Sequence, residues 1–421
     1  MASEARAAAP ALVAALTGMP APAAATSPAG RARRIMAYGW RRRAIKTLLW
    51  LDIFGVALRC YRNPLRALQA LRAMGVRRPQ ARRAGESRVT FKYARAGGRW
   101  FWDLYSPGWP SAAFRRYIAE ELNQSIPFRP AGKPLQVLLM AVTKACPLAC
   151  EHCFEWDSLN RAETLSAADL TGILARFLDQ GLAQVQFSGG EPLRRFPDLL
   201  ALIAQARNRA DTWIITSGFG LTDAKAAELK RAGLTGVLLS LDDSDPERHN
   251  RFRGSPHAFA QAEAAAAAAR AQGLILGLSL CATRTFATRE NLRAYADLGK
   301  RWGAGFIQLV EPKAVGHYAG QDVDLTPAQI GLLEKFHLDL SYSPAWRDYP
   351  SSAYQGYAQR REGCGGAARR YMYMDTDGQA QACPFCKHGA GAGDCRQDAL
   401  EGIHDRLQAI GCTRYPTSPT S

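Results

Sequence analysis

Between residues 135 and 312 the chain alternates short apolar runs with stretches of helical period. Six runs read as strands: 136–142, 184–188, 213–216, 236–241, 274–280 and 305–310. Between the first two, Ser166 and Asp169 form a capping-box pattern ahead of Leu170, Ile173, Leu174, Phe177 and Leu178. Those five lie on one face of a 3.6-residue helix. Residues 261–270 are almost pure Ala, a strong helix former suited to packing. Six β/α repeats predict parallel strands with right-handed crossovers. In such a fold, chemistry gathers where strands end.

The flanks have other patterns. Residues 88–105 predict a hairpin around Gly97-Gly98, and 112–122 a helix. Upstream, an apolar stretch spans 48–58. A second helix then takes Asn63 as cap, Pro64 in its first turn and Gly75 as stop, with Leu65, Leu68 and Leu71 recurring along it. No apolar run approaches the roughly eighteen residues a spanning helix needs. Residues 1–30 are Ala/Pro-rich and predict a disordered tail rather than a signal peptide. The expected fold is α/β: a partial (β/α)6 TIM-like barrel core, a basic N-terminal helical extension and a small Cys-rich C-terminal domain. The boundaries are a tail at 1–35, the extension at 36–130, the core at 131–345 and the Cys-rich unit at 346–421.

Composition sharpens this. The 421 residues are 47% hydrophobic and 22% charged, which excludes a disordered chain. Net charge is +17, and residues 31–95 hold 18 Lys/Arg against Asp52 and Glu86, so that segment alone carries 18 − 2 = +16. The remainder is near neutral and needs no acidic substrate to explain it. Two readings of 36–80 stand. One is an interfacial anchor on an anionic membrane surface, with Lys/Arg flanking Trp, Leu and Phe. The other is a pair of helices packed on the core with a solvated basic face. Nucleic acid is disfavoured because no recognition motif accompanies the charge.

Ten cysteines are too few and too unevenly spaced for a disulfide scaffold. Eight fall in two clusters. Cys146, Cys150 and Cys153 follow the first strand at spacings of four and three. Thiolates are soft ligands that suit iron–sulfur clusters or zinc. Three ligands leave one metal position open, whereas structural zinc wants four. His152 could supply a fourth, but it lies directly beside Cys153. Ser188-Gly189-Gly190-Glu191-Pro192 ends the second strand, where paired glycines permit close backbone approach.

The C-x3-C-x2-C loop together with that Gly-Gly-Glu-Pro segment resembles the radical S-adenosylmethionine superfamily. His152 departs mildly from the aromatic residue usual at that position. The resemblance covers about 136–312. It implies a [4Fe-4S] cluster on Cys146, Cys150 and Cys153, with S-adenosylmethionine chelated to the open iron. Electron transfer would then release methionine and a hydrogen-abstracting 5′-deoxyadenosyl radical. It further implies cosubstrate contacts at Gly189, Gly190, Glu191 and Pro192, with polar groups at Ser217 and Ser240. His249 and Arg253 are expected to pair on the surface.

Cys364, Cys383, Cys386, Cys395 and Cys412 form the second cluster. Cys364 to Cys383, with Gly378 between them, resembles the opening of the SPASM/twitch extension. Five cysteines serve one auxiliary [4Fe-4S] cluster, with Cys364, Cys383, Cys386 and Cys412 as ligands and Cys395 as the spare. Zinc on the same thiols is the structural alternative. A hairpin is expected at 371–374 and 379–382 around the turn 375–378. Cys60 and Cys281 read as ordinary buried thiols. The resemblance implies a cytoplasmic enzyme, and the basic segment separately leaves the inner membrane surface open to it. It would take electrons from a flavodoxin- or ferredoxin-type donor and act on a ribosomal peptide or a small molecule. A lipid-linked substrate at the membrane surface stays open. So does a reading from another class, a zinc-stabilised binding protein without radical chemistry.

Overall fold

The computed structural model describes residues 35–76, 92–130, 132–387, 391–412 and 414–415. The expected tail at 1–35, all but its last residue, and the first part of the hairpin, 88–91, lie outside the described residues.

The chain opens with β1 (Met36–Ala37), α1 (Gly39–Tyr61) and α2 (Pro64–Val76). β2 (Tyr93–Ala96) and β3 (Arg99–Phe101) form the hairpin at Gly97-Gly98, and β1 pairs antiparallel with β2. α3 (Ala112–Ser125) closes this unit, capped by the Ser111 side chain. The Asn63 Oδ1 cap on α2 forms at 2.9 Å from Leu65 N. Gly75 does not stop that helix, which runs on to Val76. Its apolar spacing also has the opposite sense from a core stripe. Ala67, Ala70 and Met74 are buried, whereas Leu65 and Leu68 face solvent.

The core alternates β4 (Val137–Ala141), α4 (Ala167–Asp179), β5 (Gln184–Ser188), α5 (Phe196–Ala206), β6 (Asp211–Thr216), α6 (Asp223–Ala232), β7 (Gly236–Ser240), α7 (Pro246–Arg253), α8 (Ala258–Ala271), β8 (Ile275–Cys281), α9 (Arg289–Arg301) and β9 (Phe306–Val310). All six strands pair parallel in sequence order. The capping box at Ser166 and Asp169 is present. All five apolar residues expected on the α4 face are buried, and Ala262, Ala265 and Ala269 of α8 pack flush against the core with no exposure.

α10 (Pro327–Tyr342) leads to β10 (Ser351–Tyr354), which joins β9 in parallel. α11 (Gln355–Glu362) is followed by β11 (Tyr371–Met374), β12 (Ala380–Gln381) and α12 (Leu400–Ile410). β11 and β12 form the expected hairpin, but β11 also lies parallel against β4, from Tyr371↔Val137 to Met374↔Met140. The sheet is therefore nine-stranded, in the order β10-β9-β8-β7-β6-β5-β4-β11-β12. It runs without a break through the boundary drawn at residue 345. An exposed β4 edge offers unpaired backbone groups, and the Cys-rich segment satisfies them.

The N-terminal unit plugs one end of the barrel. Met36, Ala94, Phe101 and Leu104 pack with Trp213, Ile275 and Phe306, which lie at or near the starts of their strands. Arg99 donates to buried Asp211 at 2.9 Å, and Gly108 N donates to the same carboxylate at 2.8 Å. Lys92, 1% exposed, donates to the carbonyls of Trp346, Tyr349 and Pro350 at 2.5–3.0 Å. Burial pushes its ammonium down to about 7, and the three carbonyls replace the water it has lost. Lys92→Met is expected to strand those carbonyls and destabilise the fold by about 3 kcal/mol. The urea midpoint measures this, and an unchanged midpoint would show that the carbonyls find other donors.

Candidate active site

The three-cysteine loop leaves β4 and is gripped from three sides. On the first, the turn after β5 lies flat against it. Val142 N donates to Ser188 O at 2.9 Å, Gly190 N to Thr143 O at 2.8 Å and Glu191 N to Ala145 O at 2.8 Å. A Cβ on Gly189 would stand 2.4 Å from Thr143 O, and one on Gly190 would stand 2.4 Å from Ala145 O. Only glycine permits that approach, and Gly189 also has φ +124°.

On the second side, the end of α7 supplies Phe252 O to Glu151 N at 3.0 Å, and Phe252 stacks on His152 at 4.9 Å. On the third, the segment after β9 brings His317, whose N donates to Cys153 O at 2.9 Å. The His317 ring stacks on Trp156 at 3.8 Å. Asn160 closes the loop on itself: its Oδ1 accepts from Cys146 N and its Nδ2 donates to Cys146 O.

Burial pushes all three thiols upward, Cys153 to about 12. They would hold their protons until a metal displaced them. Arg253 opposes the effect at Cys150, with a guanidinium nitrogen 3.5 Å from Sγ. His249 and Arg253 are not on the surface as expected; they are 1% and 7% exposed. Arg253 pairs with buried Asp242 at 2.6 Å, and His249 Nδ1 accepts from Asp242 N at 3.1 Å. Burial works against the Asp242 charge, but Arg253 and the neighbouring histidines outweigh it and hold the carboxyl low. Sequence reading missed this because an Arg-rich octapeptide looks solvated. The available signal was Asp242 at the strand end, a charge that needs a partner once buried.

Glu191 is 1% exposed and accepts from Thr216 Oγ1 and Ser217 Oγ at 2.6 Å and from Ser217 N at 2.9 Å. Burial pushes its carboxyl up against those bonds. Glu191 and Ser217 thus bind each other and tie the ends of β5 and β6 together. Pro192 is buried at the start of a short 3-10 turn. Ser240 is half-buried and opens on a cavity of about 400 Å³.

That cavity passes His152, Phe154, Asp242 and Arg253 beside the first loop and reaches Cys364, Cys383, Cys386 and Cys412. The four thiols lie within electrostatic reach of one another. Cys395 stands apart, fully buried in the apolar core, with its backbone N on Gly378 O. Cys281 lines the cavity wall rather than the general core. Tyr105, Gln308 and Ser279 form a polar floor through bonds of 2.9 and 2.7 Å.

The two thiol-bearing segments interlock. Buried Glu155, two residues after Cys153, accepts from Tyr373 Oη at 2.5 Å and from Lys387 Nζ, next to Cys386, at 2.5 Å. Phe154 meets Phe385 edge-on at 5.9 Å. Among the described residues no three metal-ligating side chains converge on one point. A cluster makes no such demand, since it spreads its ligands over separate irons. The soft donor set and the glycine cradle fit it.

Gly190→Ala is expected to displace the Cys146 loop. Iron retained after anaerobic reconstitution should fall by about half, the share of one of two clusters. Gly132→Ala, where a Cβ meets nothing within 4 Å, should retain all of it. Equal iron in both variants would remove the cradle argument.

A family model described as the Radical SAM superfamily matches residues 140–300. The PqqA peptide cyclase of Gluconobacter oxydans is 31% identical over 257 residues, spanning 59% of this chain and 70% of that enzyme. SuiB of Streptococcus suis, solved with S-adenosylmethionine, superposes with a TM-score of 0.52 at 20% identity, over 67% of this chain and 66% of SuiB. SuiB bound to its precursor peptide SuiA gives 0.54 at 17% identity, over 70% and 71%. The enzyme anSMEcpe with bound AdoMet gives 0.51 at 18% identity, over 65% and 82%. The structural likenesses bear on the fold, and the cyclase match, at this identity and coverage, on descent: the chain belongs to the radical S-adenosylmethionine superfamily.

Proposed function

We propose that this radical S-adenosylmethionine enzyme modifies a ribosomally made peptide, whose reacting side chain enters the cavity between the two sets of thiols. The observation that supports this reading is the cavity, which runs from His152 and Phe154 of the first thiol loop to Cys364, Cys383, Cys386 and Cys412. Cys146, Cys150 and Cys153 are assigned to the catalytic [4Fe-4S] cluster. Cys364, Cys383, Cys386 and Cys412 are assigned to an auxiliary one, and Cys395 to the core. Held by Cys146, Cys150 and Cys153, such a cluster would supply the electron for reductive cleavage of S-adenosylmethionine.

The chain's own residues orient and seal. The Gly189-Gly190 backbone and Ser240 border the cosubstrate seat. Glu191 and Ser217 brace that wall through their mutual bonds rather than by reaching inward. Arg253 sets the charge beside Cys150. Tyr105, Gln308 and Ser279, fixed on one another, present polar atoms that can orient a peptide. At the opposite wall, Glu311 accepts from Tyr354 Oη and Arg360 at 2.6 Å and from Lys313 at 3.1 Å, a charged group already satisfied before substrate arrives. The PqqA cyclase and the SuiB–SuiA pair support a peptide substrate by likeness. The electron donor is of flavodoxin or ferredoxin type, and the division into extension, barrel and auxiliary unit follows the functional parts.

The reconstituted chain should bind about eight irons, and a Cys146/Cys150/Cys153→Ala variant about four. With dithionite and S-adenosylmethionine, only the wild type should form 5′-deoxyadenosine. An acidic precursor peptide encoded beside the gene should emerge from co-expression short of two hydrogens by mass spectrometry. An unmodified peptide alongside active 5′-deoxyadenosine formation would refute the peptide assignment while leaving the radical chemistry intact.

A further inference from the structure

α1 has two apolar faces. Ile45, Leu49, Ile53 and Val56 are buried toward the N-terminal core. At 100° per residue the face turned away carries Trp40, Leu48, Leu51 and Trp50, with Trp40 and Leu51 at its centre. The four are 73%, 55%, 62% and 46% exposed. Large apolar side chains grouped on the face turned from the core mark a contact surface. α2 repeats the arrangement, with Leu65 and Leu68 outward, 70% and 43% exposed, opposite Ala67, Ala70 and Met74. Both helices pack on α3, so their outer faces point away from it. Among the described residues, six of the seven large apolar side chains that face solvent belong to these two helices.

Charge surrounds the patch. Residues 39–76 carry eight Lys/Arg against Asp52 alone. Asp52 is turned inward onto Trp109 Nε1 at 2.9 Å and Arg115 at 3.0 Å. Arg41, Arg43, Lys46, Arg62, Arg66 and Arg72 are exposed. No helix among the described residues is long and apolar enough to cross a membrane. α1 is about 35 Å long by helix rise, with Arg41, Arg42, Arg43 and Lys46 in its first turns and Arg59 in its last; the cation-free stretch between them is too short to span a bilayer, so the helix suits the plane of an interface.

We propose that the outer face of α1 and α2 docks on an anionic lipid bilayer, with Trp40, Leu51 and Leu65 entering the headgroup boundary and the cations meeting lipid phosphates. Large apolar side chains interleaved with cations are the combination that an anionic lipid interface takes up. A second copy of the chain would bring like charge against like. The inference does not depend on the substrate assigned above.

The full-length reconstituted protein is tested by co-sedimentation with phosphatidylcholine vesicles, with and without roughly a third phosphatidylglycerol, in about 0.1 M salt. Binding is expected to be at least about tenfold tighter to the anionic vesicles. Brominated acyl chains should quench the tryptophan fluorescence. Trp40→Glu with Leu51→Glu should abolish binding. Arg41→Gln with Arg43→Gln should erase the preference for anionic lipid. All four positions are exposed, and unchanged circular dichroism and iron content would show that the variants fold. Absence of binding to anionic vesicles, or binding that survives the Trp40/Leu51 pair, would overturn the proposal. So would a dimer or an acidic-peptide complex that depends on Trp40 without any vesicle binding.

Discussion

The parallel pairing of β4 with β11 is the constraint on which the site depends. β4 delivers the loop of Cys146, Cys150 and Cys153, and β11 anchors the hairpin that leads to Cys383 and Cys386. With Tyr371 against Val137 and Met374 against Met140, the two cysteine segments are held in one register. A slip of one residue would turn every side chain of β11 to the other face and carry Tyr373 away from Glu155. Backbone bonds set the approach, and the buried Glu155–Tyr373–Lys387 cluster locks it.

Around that frame the protein buries charge in mutually satisfied groups. Asp242 holds Arg253, accepts from Cys281 N at 3.0 Å, and leaves Arg253 free to touch Cys150. Removing one member of such a pair costs on the order of 3–5 kcal/mol, because the other is left charged without a partner. Glu311 and Glu191 follow the same rule with different donors. The polar groups set in the largely apolar cavity wall are therefore already ordered, which lowers the reorganisation needed when a substrate enters.

The N-terminal extension has two physical roles. Its inner face plugs the barrel, contributes Tyr105 to the cavity floor and reaches residues 346–350 through Lys92. Its outer face presents apolar and basic side chains that nothing else in the described chain covers. Amphipathic spacing in the sequence located the helices, but not which apolar set faced inward. Leu65 and Leu68 look like a core stripe until the smaller Ala67 and Ala70 are seen to permit the closer packing.

The sequence by itself determined what depends on local rules. These were the six parallel strands to within about two residues, the Ser166 cap, the hairpin turn at 375–378, the glycine pair and the two thiol groups. Periodicity, capping and motif spacing are written within a few residues of one another and need no distant partner. The tertiary structure alone decided what depends on distant approach. It set β11 beside β4 across more than two hundred residues, buried Arg253 against Cys150 and turned Glu191 onto Ser217. Those outcomes follow from which buried charge finds which partner and which sheet edge is left open, and only the folded chain brings the candidates together.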